Sequence, residues 1–223
     1  MRVSRIQAAE NRETVINVAS RLFRERGFDG IGLKDLMEGA GLTQGAFYKQ
    51  FASKEDLAAQ ASRRALESAS LKWSAATAAK PEDPLGAVIE FYLSTKHREE
   101  RMDGCPVVAL GSAAARQGSD VKASFETGIK AYLEIVGRLI AETEGEELNG
   151  KAMVILSTMV GALTLSRVVN DPDLAQAFLD AAVKQVREGV RRGRVDRETL
   201  RLRRKKASKT SNKAANMKMK PSI

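Results

Sequence analysis

The sequence predicts an all-α protein with a small N-terminal unit of three helices, followed by a larger helical domain. Apolar residues recur every three or four positions along most of the chain, and no window shows the sustained alternation that is typical of strands. Alanine is abundant and only 5% of the residues are aromatic, a composition that suits helices better than sheets. At 223 residues the chain is long enough for one or two domains with a sizeable core.

The first predicted helix runs from about Arg12 and ends at Gly27. Its apolar positions repeat at the spacing of one helical face: Val15, Ile16, Ala19, Leu22 and Phe23. The amphipathic pattern predicts that this face packs against the helices that follow.

A short helix, a turn and a second short helix come next. Leu33, Leu36, Met37 and Ala40 form one apolar stripe, and Gly41 supplies the positive φ that a sharp turn requires. Thr43 is a suitable N-cap for the third helix, which is expected from Gln44 to about Phe51 with Phe47 and Phe51 buried. Helices below about 12 residues are marginal alone, so this one must be braced by its neighbours.

A fourth, long helix is expected to start after Ser53. Ser53 followed by Asp56 resembles a capping box with the shorter acid. Leu57, Ala61 and Leu66 continue its apolar face. The first three helices and the start of the fourth have the arrangement that a helix needs to enter a DNA groove.

Residues 12 to 62 resemble the DNA-binding domain of the TetR family of bacterial transcriptional repressors. The matching residues are Phe23, Gly27, Phe28, Leu36, Ala40, Gly41, Thr43, Gly45, Tyr48, Phe51 and the run from Ser53 to Leu57. The resemblance implies an all-helical homodimer in which two recognition helices read a palindromic operator, with a larger C-terminal domain that binds a small-molecule inducer. The function expected is therefore a ligand-responsive repressor.

The candidate DNA-contacting residues lie on and around the predicted recognition helix. Gln44 is the best candidate for reading base edges, because an amide can bond adenine N6 and N7 together. Gly45 and Ala46 allow close approach, while long cationic and phenolic side chains suit phosphate oxygens. The full set is Thr43, Gln44, Gly45, Ala46, Tyr48, Lys49 and Lys54. The alternative for each is an ordinary solvated surface residue.

Changes in composition, together with turn and loop residues, divide the chain into four parts. We expect an N-terminal arm at 1–11, the DNA-binding domain at 12–57, a ligand-binding and dimerisation domain at 58–200, and a basic disordered tail at 201–223. Within the larger domain, a loop at 80–84 precedes a helix bearing Leu85 to Leu93, and Gly104 to Pro106 turns the chain into a helix at 107–116. Another helix should run from Ser119 or Asp120 to Ile140.

The middle helices are expected to enclose a pocket for a largely apolar or electrophilic inducer. The candidate lining residues are Trp73, Phe91, Tyr92, Cys105, Phe125 and Tyr132, although core packing alone explains any single aromatic among them. Gly104, Cys105 and Pro106 resemble a Gly-Cys-Pro stretch of some TetR-family branches that respond to efflux substrates or electrophiles. Free cysteines are usually small buried hydrophobes, and this is the interpretation we favour for Cys105. The alternative is a covalent sensor, because a thiol at a helix N-terminus has a lowered pKa and can be reactive. His97, the single histidine, is expected to be solvated.

The last two helices predict a dimer. Residues 151–169 are apolar on most of the helix circumference, so they must be covered on several sides. Asp171 and Pro172 start the final helix with a cap and a first-turn proline. In the resembled family two such helices from each subunit form a four-helix interface; the alternative is a monomer whose core buries them.

The net charge of +9 belongs to the tail rather than to the folded body. Residues 200–223 hold nine of the 37 Lys and Arg residues and no acid, which leaves 28 cations against the 28 Asp and Glu residues elsewhere. The tail either attracts DNA phosphate without sequence preference or is a dispensable solvated extension.

Several classes of function are disfavoured. A single cysteine excludes an internal disulfide, and neither an apolar leader nor an uncharged run of ~18 apolar residues is present, so a soluble, cytoplasmic protein without membrane contact is expected. The sequence has no phosphate-binding glycine loop or metal-ligand spacing, which predicts no catalysis, no metal site and no cofactor. The remaining alternatives are a transcriptional activator of the same fold and a non-specific architectural DNA-binding protein.

Overall fold

The computed structural model describes residues 4–140 and 146–191, with the side chains of 146–149 excepted. All regular structure in these residues is helical, as the sequence predicts. Two compact units are distinguished, residues 1–183 and residues 184–223. The first contains nearly all of the described chain; in the second, the described residues 184–191 are helical. The basic tail at 201–223 lies outside the described residues.

Helix α1 covers Arg5–Arg26 and therefore begins seven residues before the expected start at Arg12. The Ser4 hydroxyl accepts a hydrogen bond from the Gln7 amide at 3.1 Å, and this N-cap fixes the earlier start. Gly27 ends the helix with φ 79°, a conformation that favours glycine. Val15, Ile16, Ala19 and Phe23 are buried, in agreement with the predicted face; Leu22 is half-buried.

Helix α2 covers Leu33–Gly39 and is followed by a tight turn at Gly41, whose φ of 70° confirms the predicted turn. The expected α-helix from Gln44 to Phe51 is instead a 3-10 helix at Gln44–Lys49. So short a segment closes few bonds, and the tighter i→i+3 pattern is common in runs of this length. Thr43 holds the N-cap position, but its side chain makes no capping hydrogen bond.

Helix α3 covers Lys54–Ala79 and is the longest element described. The Ser53 hydroxyl accepts from the Asp56 amide, while the Asp56 carboxylate accepts from the Ala52 amide, so the predicted capping box is present with its return bond one residue earlier. The helix packs against α1 near its start. It therefore joins the N-terminal helices to the larger part of the unit.

The larger part of the unit contains α4 at Pro84–Tyr92, α5 at Thr95–Glu99, α6 at Pro106–Ala114 and α7 at Ser119–Ile140. The charged stretch after α4 forms the separate short helix α5, because Ser94 caps it by accepting from the His97 amide. Helix α7 packs along α3, and a Cβ at Gly128 would lie 2.7 Å from the Leu66 side chain. Glycine therefore permits the close approach of these two helices.

Helix α8 covers Glu146–Val168, and α9 covers 172–191. Within the described chain, one stretch, Gly150–Val168, is long and apolar enough to cross a membrane by length and composition, with a mean hydropathy of 1.3. Helices in the cores and interfaces of water-soluble proteins meet the same criterion, so this finding is weak evidence for a span.

Candidate nucleic-acid interface and buried cavity

The 3-10 helix presents its polar side chains outward. Thr43, Gln44, Gly45, Tyr48 and Lys49 are exposed, and Tyr48 retains 68% of its accessible surface. Ala46 and Lys54 are half-buried. The seven residues predicted to contact DNA thus lie along one short stretch and the start of α3, with no described residue covering the exposed five.

Two phenylalanines brace this face from behind. Phe47 and Phe51 are buried at 0% and 3% exposure, and their rings stack with centroids 5.4 Å apart. The Arg12 guanidinium carbon lies 5.2 Å from the centre of the Phe51 ring and the same side chain donates to the Gln60 side chain, tying α1 to α3. The two buried rings thus stabilise the 3-10 helix, which is too short to be stable alone.

The charges on this face are free to meet an anion. Among the described residues, no carboxylate lies within ion-pair distance of the Lys49 or Lys54 ammonium group. Gly45 has no described atom within 4 Å of the position that a Cβ would occupy. Nothing inside the fold therefore requires glycine there, whereas close approach of an external backbone would.

A small cavity lies between α3, α4, the α5–α6 loop and α7. It is lined by Ala69, Lys72, Trp73, Phe91, Tyr92, His97, Asp103, Gly104, Cys105 and Tyr132. The structure thus brings together five of the six predicted lining residues; Phe125 is buried but does not line it. The space open to the centre of a water molecule is about 10 Å³, enough for about one water.

Aromatic rings make most of the wall. Trp73 stacks on Tyr132 with centroids 4.7 Å apart and meets the edge of Tyr92 at 5.5 Å. Both tyrosines are 1% exposed, and neither hydroxyl has a hydrogen-bond partner among the described residues. Burial raises the pKa of Tyr92 and of Tyr132 well above the ordinary value, so both carry their protons.

His97 is buried, so the expectation of a solvated histidine is wrong. Its Nδ1 lies 2.7 Å from the Tyr92 carbonyl oxygen, and its Nε2 accepts a hydrogen bond from the Cys105 amide at 3.1 Å. Because Nε2 must be unprotonated to accept, the proton resides on Nδ1 and is donated to Tyr92. Burial lowers the pKa of His97, which favours this neutral form.

The environment of Cys105 contradicts the expectation of a lowered thiol pKa. Cys105 does occupy the N-cap position of α6, but it is 2% exposed, and burial raises the pKa of its thiol above the ordinary value. A protonated, enclosed thiol is a poor nucleophile. The structure therefore favours the alternative of a small buried hydrophobe.

Comparison with known proteins agrees with the surface around the 3-10 helix. The family model for bacterial regulatory proteins of the tetR family matches residues 15–61. The uncharacterized HTH-type transcriptional regulator YxaF of Bacillus subtilis is 26% identical over 168 residues, which cover 73% of this chain and 87% of YxaF.

Two solved structures share the fold. A TetR transcriptional regulator from Chloroflexus aurantiacus superposes with a TM-score of 0.68 at 23% identity, covering 81% of this chain and 96% of that one. The reduced form of Escherichia coli NemR superposes with a TM-score of 0.67 at 19% identity, covering 80% and 96%. Residues 15–61 therefore carry a DNA-binding domain of the tetR family, and the chain as a whole is similar to TetR-type transcriptional regulators.

Helix α1 of this DNA-binding domain is hydrogen-bonded directly to the wall of the cavity. The Arg24 side chain, 3% exposed, donates from Nη1 to the Gly104 carbonyl oxygen at 2.9 Å, and its Nη2 lies 3.7 Å from the Asp103 carboxylate. Its Nε donates to the Ser20 carbonyl oxygen. Burial lowers the pKa of Arg24, and Asp103 opposes the shift, so the guanidinium remains charged.

The other end of α6 also meets the DNA-binding side of the fold. A Cβ at Gly118, which follows α6, would overlap the carboxylate of Glu55 in the first turn of α3. Helix α6 further contacts α1. The segments on both sides of α6 thus contact or closely approach elements of the DNA-binding domain.

Apolar side chains remain exposed along one face of α8. Val154, Leu165 and Val168 keep 66%, 48% and 73% of their accessible surface, and they lie on one stripe with Gly161, beside which a Cβ would meet nothing within 4 Å. The expectation that this helix is covered on several sides is thus only partly met within one chain.

Sequence reasoning missed Arg24, Lys72 and His97 as members of these sites. The spacing of Ser20 and Arg24, four residues apart and beside the buried Phe23, was an available signal, because a buried arginine must find acceptors. Lys72 and His97 carried no such signal: Lys72 bonds to Asp103, 31 residues away, and the contacts of His97 with Tyr92 and Cys105 depend on how the chain turns between α4, α5 and α6.

Proposed function

We propose that this regulator is a homodimeric repressor that binds a palindromic operator and is released from it by a small-molecule inducer. The observation that carries the proposal is the exposed face of this segment, formed by Thr43, Gln44, Gly45, Tyr48 and Lys49. Phe47 and Phe51 are buried behind it and hold its backbone in place. A rigid, cationic, uncovered helix is what base-edge readout requires.

Dimerisation follows from the exposed stripe of α8. A contiguous row of valine and leucine side chains in water is costly, and a second copy of the same face covers it by two-fold symmetry. Such symmetry would present two recognition segments to successive turns of a duplex, which accounts for a palindromic operator. The uncovered position beside Gly161 allows close helix approach there.

Release by an inducer requires that the cavity and the recognition segment share a conformational equilibrium. The bond from Arg24 to Gly104 supplies a direct route, because Gly104 and the next residue both line the cavity. A ligand that displaces this loop favours a different position of α1 and thereby a different spacing of the two recognition segments. The cavity of about 10 Å³ must enlarge to admit such a ligand.

The roles within the recognition segment separate by chemistry. Gln44 is proposed to read a base edge, with Gly45 and Ala46 allowing approach, whereas Tyr48, Lys49, Lys54 and Thr43 are proposed to meet the phosphate backbone. The exposed Thr43 hydroxyl supports this assignment, because it is not consumed as a helix cap.

The decisive experiment is to sequence the genomic fragments that the purified protein retains, followed by gel shifts on the recovered site. Gln44→Ala should relax the base preference, whereas Lys49→Ala should weaken all sequences alike and reduce the salt slope by about 1. Lys130→Ala, which removes a lysine paired with Glu126 on α7, is the control and should change neither. Retention of random fragments with no shared motif would refute operator recognition.

The alternatives make different predictions in the same assay. A sequence-blind architectural protein would lack the roughly 10³-fold preference over competitor DNA that a regulator keeps for its operator. An activator would bind its site equally well, so transcription in vitro from the recovered promoter must decide the sign. The proposal places the protein in the cytoplasm and includes no catalytic step.

A further inference from the structure

We propose that the cavity binds a small aromatic carboxylate, whose anionic oxygens accept hydrogen bonds from the Tyr92 and Tyr132 hydroxyls and whose charge is balanced by Lys72. The inference rests on the proposed function, because it names the chemical class of the inducer. Three observations support it: the cavity has hydroxyl groups without partners, a positive charge and an aromatic lining.

The two hydroxyls are the polar groups still available in the cavity. Tyr92 and Tyr132 are each 1% exposed, line the cavity and lack a partner among the described residues. A buried hydroxyl without a partner costs about 1–3 kcal/mol, so a site that keeps two of them is expected to use them. The neighbouring Cys105 thiol interacts with both, but sulfur is only a weak acceptor.

The acceptors that line the same cavity are already occupied. Both ring nitrogens of His97 are engaged, by the Tyr92 carbonyl and by the Cys105 amide. The Gly104 carbonyl oxygen accepts from Arg24, and the Asp103 carbonyl oxygen accepts from Lys72 at 2.6 Å. The donors still free are the two tyrosine hydroxyls, and a bound molecule that brings acceptor oxygens of its own satisfies both of them.

The charge around the cavity favours a negative ligand. Lys72 lines the cavity, and its ammonium donates to a backbone carbonyl oxygen, that of Asp103, with no carboxylate at ion-pair distance among the described residues. Arg167 donates to the carbonyl oxygens of His97, Arg98 and Glu100. These acceptors are neutral, so they do not balance the charge of the guanidinium. Asp103, the one acid that lines the cavity, lies 3.0 Å from Arg21 and 3.7 Å from Arg24.

The walls favour a flat ring. Trp73, Tyr132, Tyr92 and Phe91 surround the space, and two of these rings already lie parallel at 4.7 Å. Aromatic faces gain about 0.5–1.5 kcal/mol from stacking beyond the area that they bury. Because the free space holds about one water, a ring must move Trp73 or its neighbours on entry.

Trp73 makes the test direct, because it is the single tryptophan of the sequence. The full-length protein is titrated with benzoate, benzamide and benzylamine, three probes of similar size that are anionic, neutral and cationic. Trp73 fluorescence and the melting temperature are followed without DNA. Benzoate should bind at least about fivefold more tightly than benzamide, because hydrogen bonds to a charged acceptor are about twice as strong, and benzylamine should not bind.

Three variants assign the contacts. Tyr92→Phe and Tyr132→Phe should each weaken benzoate binding by about tenfold or more, while leaving the melting temperature of the free protein unchanged or higher. Lys72→Met should weaken benzoate and spare benzamide, with Lys130→Met on α7 as the matched lysine control. A tyrosine variant with a lower melting temperature and unchanged affinity would show a purely structural hydroxyl and overturn the assignment.

The remaining outcomes separate this inference from the proposed function. Equal affinity for benzamide, preference for benzylamine, or no binding of any probe overturns the ligand class, even if the protein retains a specific operator. Benzoate that binds as described but leaves operator affinity unchanged would instead refute induction through this cavity.

Discussion

The guanidinium of Arg24 donates a hydrogen bond to the carbonyl oxygen of Gly104 at 2.9 Å, across a separation of 80 residues. Arg24 belongs to the first helix of the DNA-binding domain, and Gly104 lines the buried cavity. In the proposed release by an inducer, a change in the shape of the cavity wall would act on α1 through this one hydrogen bond.

Removing the Arg24 guanidinium should destabilise both α1 and the loop that contains Gly104. Arg24→Met retains the apolar stem but leaves the Gly104 carbonyl without its donor, so the free energy of unfolding should fall by about 2–3 kcal/mol in urea titrations. Amide exchange at 103–106 should accelerate. Arg21→Met is the matched control, because Arg21 is 54% exposed and pairs with the same Asp103; it should cost at most about 1 kcal/mol. Equal effects of the two variants would contradict a special role of Arg24.

Two neighbouring glycines should respond to alanine in opposite ways. In Gly45→Ala the added Cβ has no described atom within 4 Å, so the melting temperature should not change. The affinity for DNA should fall, because the added methyl group would face the duplex. Gly41→Ala should destabilise the fold by about 1 kcal/mol or more, since Gly41 has a φ of 70°. Thermal unfolding and gel shifts on both variants check this contrast. Unchanged DNA affinity in Gly45→Ala would remove close approach as the reason for glycine.

The exposed apolar face of α8 predicts a dimer interface, and a single charged residue placed on this face should disrupt the dimer. Leu165→Asp places a carboxylate on the stripe with Val154 and Val168, and sedimentation at micromolar concentration should shift from dimer to monomer with loss of operator binding. Leu71→Asp is the control, because Leu71 is 71% exposed on α3, away from α8 in sequence, and should leave the oligomeric state unchanged. A monomeric parent protein would instead remove the proposed interface.

The apolar periodicity, the glycine turns and the N-cap residues were sufficient to predict most of the helices, because each of these signals is local in the sequence. Gly27 and Gly41 end helices through positive φ, and Ser53 caps α3 as expected. The earlier start of α1 depends on Ser4, a cap signal that lies outside the apolar pattern. The 3-10 form of the recognition segment reflects its short length and fixed ends, which apolar spacing alone does not distinguish from an α-helix.

The cavity was predictable only in part, because the apolar pattern of the sequence does not show which groups its polar members contact. Aromatic composition suggested Trp73, Tyr92 and Tyr132, but the charge pattern around His97 gave no sign that its ring joins the end of α4 to the start of α6. The pKa of Cys105 was predicted in the wrong direction, since its position at a helix start is visible in the sequence whereas its complete burial is not. Domain boundaries and the tail stay predictions.

The buried His97 should make stability depend on pH in a defined window. Burial lowers its pKa below the ordinary value of 6.5, with Arg167 and Lys72 adding to the shift and Glu100 opposing it. Because the unfolded chain binds the proton more readily, the stability that neutral His97 provides is present above pH 6.5 and is lost as the pH falls through the folded-state pKa. Protonation of Nε2 also removes the acceptor for the Cys105 amide.

Urea titrations between about pH 5 and pH 7 measure this loss, since most carboxylates titrate below that range. The free energy of unfolding should decrease towards acid by at most about 1.4 kcal/mol per pH unit, the limit for one proton. His97→Gln keeps a polar side chain but no titratable ring, so its stability should be lower at neutral pH and nearly flat across the same window. His97 is the only histidine of the sequence, so a parent and variant with the same slope would show that folding does not lower the pKa of His97.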